Sequence, residues 1–175
     1  MRAAIAALAA AAFVAASALP AGAQLEPIAP ECAPLVGTFL TLRVTETGAP
    51  ADPLGRSLIA LTNGGHASMS DSAQGGIAGY QPFSDARGSW ICHGAQDDGT
   101  ITFKAVMIDF TYPTQDKPDA LVVRVETVGT LDAGGLVLSG ETNVSFYPLA
   151  SDPLGGDAPS SSTRYTFTGH KVLAQ

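Results

Sequence analysis

The feature that most constrains this chain is the run over residues 119–149, DALVVRVETVGTLDAGGLVLSGETNVSFYPL. In its first arm Leu121, Val123, Val125 and Thr127 fall on one face, and Arg124 and Glu126 mark the other. In its second arm Leu136, Leu138, Thr142, Val144 and Phe146 share a face whose reverse carries Ser139, Glu141, Asn143 and Ser145. A period of two is what a sheet with one dry and one wet side imposes. Between the arms, Asp132-Ala133-Gly134-Gly135 supplies residues that turn tightly at little steric cost. The run therefore predicts a long hairpin, and the rest of the chain repeats its pattern.

Residues 1–23 stand apart. A short positive start, an alanine-rich apolar stretch to Leu19 and the small residues Ala21-Gly22-Ala23 have the order of a secretory signal peptide, with Gln24 as the mature N-terminus. Pro20 and the A-x-A site argue against a retained membrane anchor, so no transmembrane span is expected after cleavage, and a secreted or periplasmic location follows. No lipobox cysteine follows the apolar run. Residues 24–34, QLEPIAPECAP, hold three prolines and no periodicity, and read as an extended lead-in.

Residues 35–175 form one domain, large enough for a single core and too small for two. A first strand over 35–45 alternates Leu40, Leu42 and Val44 with Thr41, Arg43 and Thr45. A second over 56–62 meets the hairpin signal Asn63-Gly64-Gly65 and returns over 66–71. The glycine-rich loop 72–86 carries Ile77, Tyr80 and Phe83. Strands over 87–93 and 100–110 precede the 119–149 hairpin, and a last strand over 163–173 ends the chain. No helical stretch is expected beyond the leader. Eight strands joined in sequence suggest an antiparallel up-and-down barrel, which leaves no edge unpaired; an open sandwich fits the same pattern.

Composition narrows the partners. The formal charge is −7, and −8 once Arg2 is removed, with no basic cluster, so no nucleic-acid partner is expected. There is no cofactor motif. The two cysteines, Cys32 and Cys92, read as one disulfide in an oxidising compartment; if bonded, they would draw the lead-in across one end of the barrel and leave the other as the way in.

At Val36-Gly37-Thr38-Phe39 the first strand resembles the G-x-W start of lipocalins and other calycins. The order that follows is similar too: an R-S-L-I strand, an N-G hairpin, a loop and G-S-W at Gly88 to Trp90. Phe39 replaces the tryptophan, and the T-D-Y element and C-terminal helix of true lipocalins are missing. The chain looks like a small secreted bacterial lipocalin-like domain. Lipocalins hold small apolar molecules inside the barrel, so the resemblance implies a cavity and an apolar ligand.

Alternation places Met69, Trp90, Phe103, Met107, Val123, Val125, Leu138, Val144, Tyr165 and Phe167 on the inward side, as ligand contacts or as plain core. His66, His93 and His170 fall outward on separate strands without ligand spacing, so no metal is expected. Asp109 shares the parity of Phe103 and Met107, which puts a carboxylate either at the mouth of the cavity or at an ordinary strand end, solvated or capping the turn at Thr111. Ser57, Ser68 and Ser89 lack a nucleophile-elbow context. The Asn143-Val144-Ser145 sequon lies mid-strand and is incidental. Three functions stay open: an apolar-ligand carrier, a cyclase or isomerase of the allene oxide cyclase type with Asp109 and Tyr165 as first candidates, or a filled barrel that binds partners through Tyr80 and Phe83.

Overall fold

The structure, a computed structural model, describes residues 28–45, 47–49, 51, 55–76 and 80–174. The expected signal peptide, its cleavage point and Ile77 lie outside them. A 3-10 helix, η1 (Pro30–Leu35), leads into eight strands: β1 (Gly37–Val44), β2 (Arg56–Leu61), β3 (His66–Asp71), β4 (Ala86–Ala95), β5 (Ile101–Phe110), β6 (Leu121–Leu131), β7 (Val137–Pro148) and β8 (Ser161–Lys171). Each pairs antiparallel with the next, and β8 pairs with β1. The chain is thus an all-β, closed, up-and-down barrel rather than an open sandwich.

The seams differ in length. The β6–β7 ladder runs from Leu121–Pro148 to Leu131–Leu138, whereas the β3–β4 ladder runs only from His66–Ser89 to Met69–Ala86. The 119–149 run forms the longest wall, closed at its turn by Asp132, whose carboxylate accepts from the backbone N–H groups of Leu136 and Val137 at 2.8 and 2.7 Å. Those two backbone bonds hold its pKa below the usual carboxylate range. Leu136 belongs to that turn and is exposed, so it leaves the inward face its spacing had suggested.

One end of the barrel is closed. A bridge joins Cys32 to Cys92 with Cα atoms 6.2 Å apart, and η1 buries Cys32 and Leu35 against the core cluster. The proline-rich lead-in is therefore partly helical: Pro30 fits the first turn, where an N–H would have no partner anyway. A register shift between Cys92 and Gly94 interrupts the β4–β5 ladder beside the bridge, and such bulges re-aim side chains. Below η1 the interior is packed with apolar side chains. Trp90 meets Phe103 edge to face at 6.4 Å and donates its indole N–H to the Thr62 carbonyl at 3.0 Å. Phe39, Leu131, Leu138 and Phe167 complete this half. Each such side chain contributes about 2–3 kcal/mol by leaving water.

On β1 the apolar row is not the inward one. Phe39 and Thr41 are buried and Arg43 lines the interior, while Leu40 is exposed outside. Strand coiling also brings backbones close at inward glycines. A Cβ at Gly140 would lie 2.2 Å from the Val128 carbonyl oxygen and 2.7 Å from the Gly129 Cα; at Gly88 it would lie 2.0 Å from the Val106 carbonyl oxygen. Only glycine fits such an approach. Gly140→Ala is expected to cost about 2–3 kcal/mol in chemical unfolding, because a rigid neighbouring strand must move. A cost under about 0.5 kcal/mol would show that the β6–β7 seam yields freely.

Candidate functional site

The opposite end is open. A cavity of about 370 Å³ lies within the barrel there, lined by Met69, Val123, Val125, Val144 and Phe146 on its apolar side. Small-molecule sites start at about this size. Its polar side is built from inward positions near the ends of three strands, Arg43 on β1, Asp71 on β3 and Asp109 on β5, from Tyr165 within β8, and from Gln81, Thr111 and Lys117 in the loops.

Arg43 and Asp71 form the hydrogen-bonded part. An Arg43 Nη2 donates to Asp71 Oδ2 at 3.2 Å, Ser57 donates its hydroxyl to the same oxygen at 2.7 Å, and the Ala73 N–H donates to Oδ1 at 2.8 Å. The carboxylate of Asp71 is buried with both oxygens engaged. The guanidinium carbon of Arg43 lies 4.5 Å from the Tyr165 ring centroid, a cation–π geometry. Burial raises the Tyr165 hydroxyl above its ordinary pKa, and the positive charge of Arg43 opposes the shift.

Asp109 has the contrary environment. It is 4 % exposed, its Oδ1 is buried with no hydrogen-bond partner, and desolvation raises its pKa to about 7. Its registered partner on β6 is Val123, which offers nothing polar. A carboxyl in that position remains a neutral acid up to about pH 7. The solvated strand-end alternative is therefore excluded by its burial.

The rim is tied by one side chain. Gln81, itself buried, donates its amide to the carbonyls of Tyr112, Lys117 and Asp119 at 3.3, 3.0 and 2.9 Å. An isolated bridge between Phe83 and Thr111 adds a second tie between the same two loops. Tyr80, which is exposed, and Phe83 sit on this rim and line the cavity.

Of the side chains that alternation placed inward, Met69, Val123, Val125, Val144 and Tyr165 line the cavity. Trp90, Phe103, Met107, Leu138 and Phe167 point inward too, but they are buried in the core rather than along the cavity. Asp109 and Tyr165 line one cavity, as candidates for a shared site must. Sequence reasoning missed Arg43, Asp71 and Gln81. Their signal lies in register alone: Thr41 pairs with Ser57 and Ser57 with Asp71, which sets Arg43 and Asp71 side by side across β2. The three histidines are exposed on separate strands. Among the described residues no three metal-ligating side chains converge, and no helix is long and apolar enough to cross a membrane. Compared with protein-family models, curated proteins and solved structures, the chain matches none of them.

Proposed function

We propose that the protein is an exported, lipocalin-like carrier that holds a small, largely apolar molecule in the open half of its barrel. One observation carries this reading: the interior is packed solid behind η1 yet keeps a cavity of about 370 Å³ at the other end, walled by aliphatic and aromatic side chains. A barrel that served only as a scaffold would gain packing energy by filling that space. The disulfide suits an oxidising compartment, and N-terminal sequencing of the exported protein should begin at Gln24.

Two measurements test the carrier reading. Native mass spectrometry of the protein from its producing cells should show a retained small molecule that is lost on denaturation. A neutral fluorescent probe, N-phenylnaphthylamine, should bind the wild type, and Val144→Trp, which fills the cavity, should weaken it at least about tenfold with little change in the unfolding midpoint. Equal probe binding by both proteins would defeat the reading.

A second function is favoured by a separate observation. The unpartnered acid of Asp109 has a pKa near that of a general acid–base group working at neutral pH, as a cyclase or isomerase of an apolar substrate would need. Turnover that collapses in Asp109→Asn while ligand binding persists would select the enzyme over the carrier.

A further inference from the structure

Among the described residues three buried side-chain polar atoms have no hydrogen-bond partner: Arg43 Nε, Asp109 Oδ1 and Arg124 Nε. The residues bearing the first two line the same cavity. A buried polar atom without a partner costs about 1–3 kcal/mol, and two in one chamber define what a ligand must supply. Arg43 Nε is a donor and nothing else.

We infer that the cavity selects an uncharged molecule with an apolar body and a carbonyl oxygen, a ketone or an ester, and that Asp109 is its anchoring contact. The inference rests on the carrier reading and adds the chemistry of the ligand. The oxygen accepts a hydrogen bond from the Asp109 carboxyl, while the hydrocarbon lies along Met69, Val125 and Val144.

Charge argues against the alternatives. Asp71 already neutralises the guanidinium of Arg43, so an anionic head gains little from it and meets two carboxyl groups. Lys117 is an exposed residue at the rim, where water screens its charge. A cationic head would gain an ion pair only by ionising Asp109 in a largely apolar wall. The groups that share the chamber with Asp109 are Arg43 on β1, Asp71 on β3, Tyr165 on β8 and Lys117 in the β5–β6 loop, while β6 presents Val123 opposite it.

The acid form donates and the ionised form does not, so binding of a pure acceptor falls as pH rises through about 7. If only the protonated form binds, affinity drops about thirtyfold between pH 5.5 and 8.5.

The experiment displaces N-phenylnaphthylamine from the full exported protein with a matched series: undecanone, undecanoate and undecylamine, each at pH 5.5 and 8.5. The ketone should displace it best at the lower pH, by at least about tenfold over both charged heads, and should weaken at the higher pH. In Asp109→Asn, whose amide still donates, the ketone should keep its affinity and lose its pH dependence. In Asp109→Leu the preference for the ketone should disappear, although the naphthyl probe still binds. Preference for the amine or the carboxylate, or a pH profile unchanged by Asp109→Asn, would overturn the inference and leave the carrier reading intact. Failure of the probe itself to bind the wild type would instead defeat the carrier reading.

Discussion

Asp109→Asn should raise the free energy of unfolding by about 4 kcal/mol above pH 7 and leave it nearly unchanged at pH 4. Burial holds the folded acid protonated up to about 7, against 3.8 for the group in water. Between those values the folded chain keeps a proton that the unfolded chain has released, so rising pH favours unfolding. The wild type therefore loses stability from about pH 4 to about pH 7 and is level beyond. Asparagine has no proton to lose, and the difference between the two proteins opens across that window. Urea unfolding at pH 4, 5.5 and 8 measures it. A gap that is the same at all three values would mean that Asp109 ionises freely in the folded protein, and the polar half of the cavity would need another explanation.

The second large effect concerns the closed end. Replacing both Cys32 and Cys92 with serine should lower stability by about 4 kcal/mol in the chain-entropy account, since the bridge spans a sequence separation of 60. The same change releases η1, because Cys32 is one of the two residues that helix buries in the core. Loss of stability should come with faster proteolysis in the lead-in, while Trp90, held by Phe103 and the Thr62 carbonyl, keeps its native emission. A loss below about 1 kcal/mol would assign the seal to the packing of Leu35 alone.

The barrel was legible in the sequence because its longest hairpin, residues 119–149, alternates with few interruptions. The site was legible only in outline, for a geometric reason. A period of two tells which side of the wall a residue faces, not its height along the barrel axis. Met107 and Asp109 share a face on β5, yet Met107 is buried in the core and Asp109 lines the cavity. Trp90 and Met69 are divided in the same way on neighbouring strands. The β1 faces were hidden by a different cause: Leu40, Leu42 and Val44 look like the core row, but Arg43 turns inward because Asp71 is there to receive it. That carboxylate arrives from β3, and no local pattern on β1 announces it.

The uneven seams carry a consequence for motion. Where β3 and β4 meet, the paired backbone ends at Met69–Ala86, and among the described residues Asp71 and Ala73 continue along the cavity with no ladder partner on that side. Transient separation of a wall should begin at its least-laced edge, so amide hydrogens of 66–69 should exchange with solvent well before those of 121–131. Breathing there would widen the chamber from its flank, giving a guest a way past the knotted rim without any hinge in the loops.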